Sequence, residues 1–216
     1  MSLDSYANLR TSVALRLGNR SDLITSGVID EAIDLCETEA NVFLRHHRKE
    51  AQTTLTCNSS GKATLPTDFL EVRSARYTGS PNVELTPISV GAANRLSPFD
   101  TSGAPGRHYD ISGTTFSITP ISSASVTLTY DQKVPPLSAS TGSTINWLLT
   151  LAPNYYLYGT MAHAMAYTRD FQDAQVMQAS ASGILDGINE QAELAAYKNA
   201  EITLDGMVTD DYSPVP

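Results

Sequence analysis

The residue types best suited to chemistry gather in one stretch, Asn146 to Tyr167, which reads NWLLTLAPNYYLYGTMAHAMAY. It holds the chain's single Trp, four of its ten Tyr and one of its four His. A helical His163 beside aromatic rings suits a general base, and an Asp or Ser arriving in space would complete a hydrolytic site. No GxSxG elbow nominates a nucleophile. Tyr155, Tyr156 and Tyr158, with Trp147 just before Pro153, bury large area and keep polar tips that need partners. The same composition marks protein interfaces. Core packing, interface or interdomain packing and a small-molecule pocket all fit the cluster, and the pocket fits least, because no catalytic partner accompanies it.

Other chemical patterns are weaker. NSSGKAT resembles a phosphate loop, but position 56 would have to be Gly and is Thr56, and the turn joins strands instead of opening a helix. His46 and His47 are adjacent, so on a helix they point apart and do not share a metal. His108 has no acidic or Cys neighbour at ligand spacing. Asp30 and Asp34 share a helix face and could work as an acid and base. That face lies opposite an apolar stripe, so a solvated role is expected. No cofactor and no metal are expected, and the chain reads as a non-enzyme.

The elements that would position these residues follow from periodicity. Tyr6, Leu9, Val13 and Leu17 form one helical face, stopped by Gly18 and Asn19. A second helix is predicted from Thr25 or Ser26 to about Arg48. Its buried stripe is Ile29, Ile33, Cys36, Ala40, Phe43 and His47, with Asp30, Glu31, Asp34 and Glu37 outward. From Ala51 the period becomes two. TTLTCNSSGKATLP predicts a hairpin turning at Asn58 to Gly61, and DFLEVRSARY a strand. HYDISGTTFSITP predicts a second hairpin at Ser112-Gly113, with Tyr109 and Ile111 opposite Phe116 and Ile118. SVTLTYDQKV adds a strand with Val126, Leu128 and Tyr130 on one side. A looser span runs from Gly79 to Gly106, with a short helix at Val90 to Leu96. After a Ser/Thr/Gly linker at Ser138 to Ser143, Pro153 opens a helix in the first-turn role. Helix then runs to about Asn199, with breaks near Arg169-Asp170 and Gly183, and with Met177, Ile184 and Ile188 spaced for a core.

The fold class is therefore α+β. Helices at both ends (1–50 and 143–200) form a bundle, and an antiparallel β-rich sandwich or barrel-like domain (51–142) is inserted between them. Residues 201–216 form an acidic extended tail. Net charge is −9, with 14 Lys plus Arg, and this excludes a basic nucleic-acid-reading domain. Cys36 and Cys57 read as buried thiols in a reducing compartment. The start MSLDSYANLR lacks an apolar signal core, and no run spans a membrane. Synthesis in a host cytoplasm is expected.

Four blocks then resemble a known family. LPTDFLEVRSARY is similar to the L-P-x-D-F-L-E signature of tailed-bacteriophage head-to-tail adaptor (connector, head-completion) proteins. YDISGTTFSITP resembles their hairpin, TYDQKVPPLS their exit from the β domain, and INWLLTLAPNYYLYGTMAHAMAYTRD the block that starts their last helices. The blocks occur in order from Leu65 to Asp170. The matching positions are Leu65, Pro66, Asp68, Phe69, Tyr109, Gly113, Asn146, Trp147, Pro153, Tyr156, Tyr158 and Gly159. The resemblance implies a structural virion protein in the head-tail neck, a ring of about twelve copies beneath the portal protein. DNA would pass through its channel without sequence-specific binding. A tail, a nozzle or the next neck protein would seat on it. It also implies a C-terminal segment that reaches the portal, which would engage Asp210, Asp211, Tyr212, Pro214 and Pro216. The alternatives are a head- or tail-completion ring elsewhere in the neck, or a small hydrolase or ligand-binding enzyme using His163. On the leading view Tyr156 and Tyr158 anchor the last helices against the β domain and a neighbouring subunit, and Gly159 allows close approach.

Overall fold

The computed structural model describes residues 3–79, 82–96, 106–138 and 145–199. The tail positions from Asp210 to Pro216, nearly all of the Ser138–Ser143 linker and residues 97–105 of the looser span lie outside them. The chain divides into two compact units, Met1–Arg45 with Leu149–Pro216, and His46–Leu148.

The first unit is helical. α1 (Tyr6–Arg16) is capped by the Ser5 hydroxyl, which accepts from Asn8 N. It ends where Gly18 and Asn19 take positive φ, as their types predict. α2 (Ser21–Thr25) is a single turn, and Gly27 at φ 79° admits the chain to α3 (Val28–Phe43). The α3 stripe Ile29, Ile33, Cys36 and Ala40 is fully buried. α6 (Pro153–Tyr167) and α7 (Phe171–Asn199) follow after α5 (Trp147–Leu151), and a left-handed Arg169 makes the corner between them.

Several expectations fail here, for physical reasons. α3 stops at Phe43, not near Arg48, because Asn189 of α7 caps its end. The Asn189 Oδ1 accepts from Arg45 N at 2.7 Å and its Nδ2 donates to Phe43 O at 3.0 Å. Phe43 is thus 63% exposed and Leu44 takes the buried place. His47, expected on the stripe, is exposed, and the chain turns through a 3-10 segment, His47–Lys49. Glu37, expected outward, is buried. α7 runs unbroken through Gly183, where an added Cβ would meet nothing. Its buried positions are Ala174, Ala181 and Leu185, while Met177, Ile184 and Ile188 are half-buried.

The second unit holds two four-stranded sheets around one core. The first has the order β1 (Glu50–Thr56), β8 (Ser125–Gln132), β3 (Phe69–Tyr77), β4 (Val83–Glu84). The second has the order β2 (Lys62–Thr64), β7 (Thr115–Thr119), β6 (His108–Ser112), β5 (Thr86–Pro87). Seen from these sheets the unit is sandwich-like, and the strands form no closed barrel among the described residues. Leu55, Ala75, Val126, Leu128 and Tyr130 from one sheet meet Phe116 and Ile118 from the other. Alternation puts these side chains on the inner faces. The β6–β7 register is the expected one, Tyr109↔Ile118 and Ile111↔Phe116, although the two turn residues are Gly113 and Thr114.

The segment predicted as a hairpin at Asn58 behaves differently. The turn itself forms, with the Asn58 carboxamide oxygen accepting from Ser60 N and Lys62 N. Its arms then part, β1 to β8 and β2 to β7, because inward positions on each side serve opposite sheets. The looser span holds the helix expected at α4 (Val90–Leu96) and also the short strands β4 and β5, which its Gly, Pro and Ser content concealed.

Candidate functional site

Pro153 begins α6 with no N–H to satisfy, and Tyr155 N closes the first turn on Ala152 O at 3.1 Å. The helix is apolar nearly all round, as a helix enclosed by others must be. It packs on α3, α7 and α1. Tyr155 and Tyr156 are its largest fully buried side chains, with ring centroids 5.8 Å apart in an edge-on arrangement. Each hydroxyl is satisfied by α3. Tyr155 donates to Cys36 O at 2.7 Å and Tyr156 to Glu37 Oε1 at 3.0 Å.

The aromatic tips therefore tie α6 to α3 inside the helical unit. Tyr155 was not among the motif positions and is one of the two anchors, whereas Tyr158 is only half-buried. Burial of adjacent Tyr pairs has no signature in sequence, and the buried acidic acceptor, Glu37, would have been the only clue. Burial also raises the Tyr155 hydroxyl pKa well above its usual value and pushes the Cys36 thiol up to about 12. At Gly159 α6 comes close to α3. A Cβ there would stand 2.6 Å from Cys36 Sγ.

Asn146 and Trp147 precede this block and sit in the other unit. The Asn146 amide donates to Pro135 O at 2.8 Å, and Trp147 stacks on His46 at 5.5 Å. The remaining motif positions explain one another. Leu65 is in the core and its N–H donates to Thr114 O, next to Gly113 in the β6–β7 turn. The carbonyl of Pro66 accepts from Phe69 N, and the Phe69 ring lies 5.7 Å from Tyr130. The Asp68 carboxylate accepts from the Tyr130 hydroxyl at 3.1 Å, and its carbonyl from Lys133 N at 2.7 Å. Tyr109 stacks on Phe116 at 5.3 Å. This set closes the sandwich and forms no reacting centre.

The candidate chemical residues are distributed as follows. Asp30 accepts from Tyr6 and Arg10, at 2.8 and 2.9 Å, so its carboxylate is engaged. His46 accepts from Arg48 N, and among the described residues no group of His, Cys, Asp and Glu could hold a metal ion. His163 Nε2 lies 3.3 Å from Glu39 Oε1, and Gln178 donates to the other Glu39 oxygen at 2.9 Å. A His beside a carboxylate is two parts of a hydrolytic triad. The groove that they line contains Ala162, Ala166, Phe171, Ala174, Gln175 and Gln178, with no Ser, Thr or Cys to act as nucleophile. Cys36 is buried and fully protonated at neutral pH.

What the helical unit does show is apolar surface. Phe43 on α3 and Phe171 on α7 stand at 63% and 61% exposure, with Tyr167 at 64%. Phe43 borders a cavity of about 250 Å³ with Glu39, Tyr155, Gln178, Leu185 and Asp186, and Phe171 borders the His163 groove. Phe43 lies beside Leu185 and Phe171 opens α7, about 20 Å away along that helix, so the rings are exposed at separate places.

The chain matches the family model described as SU10 adaptor protein over residues 4–203. It belongs to that family, the head-to-tail adaptors of bacteriophages, and is a structural component of the virion that associates with other virion proteins. No curated protein matches the chain. Among the described residues no helix is long and apolar enough to cross a membrane.

Proposed function

We propose that copies of this chain close into a ring of about twelve subunits that docks beneath the portal protein. The ring continues the DNA channel and presents a platform to the tail, a nozzle or the next neck protein. The observation that carries this is the exposure of three large aromatic side chains on the helical unit, Phe43, Tyr167 and Phe171. In a closed ring each subunit meets its neighbours through two different surfaces, and such side chains suit one of them. The net charge of −9 supports a channel that DNA slides through without adhering. In this arrangement segments 1–50 and 143–200 form the helical body, 51–142 the inserted β domain, and 201–216 the extension that touches the portal through Asp210, Asp211, Tyr212, Pro214 and Pro216. The chain has no catalytic role.

Native mass of the purified chain, alone and mixed with portal rings of the same virus, tests this directly. A gain of many copies per portal is expected, and Phe43→Asp with Phe171→Asp should abolish it while each chain remains folded. No association between the parent chain and the portal would move it to a different level of the neck.

A further inference from the structure

The outer face of the second sheet carries a feature that assembly through the helical unit does not use. The pairs Lys62↔Ser117 and Asp110↔Ser117 align Lys62, Ser117 and Asp110 in one row across β2, β7 and β6. Their neighbours Phe116, Ile118 and Ile111 face the core, so the row faces away from it. α4 packs against β6 and shelters the row, leaving a groove of about 330 Å³ that also includes Asn94, Thr115 and Ile121.

Asp110 is the unexplained member. It is only 7% exposed, yet among the described residues no hydrogen bond or ion pair reaches its carboxylate. Burial raises its pKa, and Lys62 opposes this through charge alone. The carboxylate lines the groove with no donor from its own chain, so it is open to a donor from outside.

We propose that this groove receives a basic side chain, arginine or lysine, presented by a partner protein, with Asp110 as its counter-charge. A guanidinium fits its chemistry best, with flat apolar faces and several N–H donors in one plane. Asp110 and the hydroxyls of Ser117 and Thr115 supply acceptors. Val90 and Ile121, 42% and 37% exposed, supply apolar surface along the groove for the stem. Lys62 lies two strands across, about 10 Å away along the sheet, and suits an acidic residue on the same partner segment. A protein partner for this groove presupposes the adaptor role, but neither the ring nor its copy number.

The test has two parts. The full chain is titrated with N-acetyl-arginine methylamide and, separately, with its neutral analogue N-acetyl-citrulline methylamide, while amide resonances are followed. The arginine probe should shift Asn94, Ser112 and Ser117 at about tenfold lower concentration, and Asp110→Asn should erase that difference. Equal responses to both probes overturn the proposal, as does calcium chloride shifting the same resonances more strongly than arginine. Phage carrying Asp110→Asn should then join heads to tails about tenfold less often, while the purified variant is at least as stable to urea as the parent. A variant that loses stability, or joins normally, overturns the proposal. Normal joining by phage lacking the whole chain would instead overturn the adaptor role.

Discussion

Replacing Gly159 with alanine puts a methyl group 2.6 Å from Cys36 Sγ, a distance that real side chains do not tolerate. Two effects compete. Alanine in a helix interior gains about 1 kcal/mol over glycine. Forcing a methyl into a filled core costs about 1–3 kcal/mol. Cys36 is fully buried, which leaves its sulfur no open space to turn into, so the second effect wins, and Gly159→Ala should lower unfolding free energy by about 1 kcal/mol. The partner variant Cys36→Ala removes the obstructing sulfur and alone costs about 1 kcal/mol of burial. In the double variant the new methyl meets Cys36 Cβ at 3.6 Å and Ala181 Cβ at 3.9 Å, both ordinary contacts. The two changes should then rescue each other, with a coupling of about 1–3 kcal/mol. Urea unfolding of the four chains, followed by helical circular dichroism at unchanged m-value, measures the cycle. A Gly159→Ala chain stabilised in the parent background, or strictly additive effects, would refute the close approach of α6 to α3.

Three further outcomes are expected. Tyr156→Phe removes the hydroxyl that donates to buried Glu37 and should cost about 1–3 kcal/mol, read by thermal unfolding. Arg73 donates twice to Asp131, which is 2% exposed, at 2.9 and 2.8 Å. Arg73→Ala should therefore cost about 2–3 kcal/mol, and Arg73→Lys should recover only part of it, as read by urea unfolding. The Cys36 thiol, raised to about 12 in the fold from an ordinary 9.0, favours the folded state fully below pH 9. That contribution should decline as pH climbs from there toward 12. Cys36→Ala should flatten the alkaline limb of the stability curve, and iodoacetamide should label Cys36 only in unfolded chain.

Local signals were readable in the sequence. Pro153 starts α6, Gly18 and Asn19 end α1, and alternation placed Tyr109 and Ile111 against Ile118 and Phe116, because each depends on neighbours a few residues away. What was hidden depends on distant parts of the chain. The end of α3 is set by Asn189, at a separation of 144 residues. Glu37 looked like one more acidic residue on a wet face until Tyr156 reached it across 119 residues. The Asn58 turn was legible, but which sheet each arm joins depends on β7 and β8, far downstream. Among the candidate residues, the motif marks Asp68 without a reason and the small size of Gly159 suggests a close approach, but their partners, the Tyr130 hydroxyl and the Cys36 sulfur, emerge only in three dimensions.

The discontinuous helical unit has a consequence for birth of the chain on the ribosome. Cys36 is synthesised 119 residues before Tyr155, the side chain that closes over it. Throughout that interval Ile29, Ile33, Cys36 and Ala40 have no α6 to cover them, while the β sandwich between is completed first once β8 emerges. Such uncovered apolar helices are prone to join one another on crowded polysomes. Slow translation between β8 and α6 should therefore lower the soluble yield of this protein, and a holdase bound to the N-terminal helices should restore it.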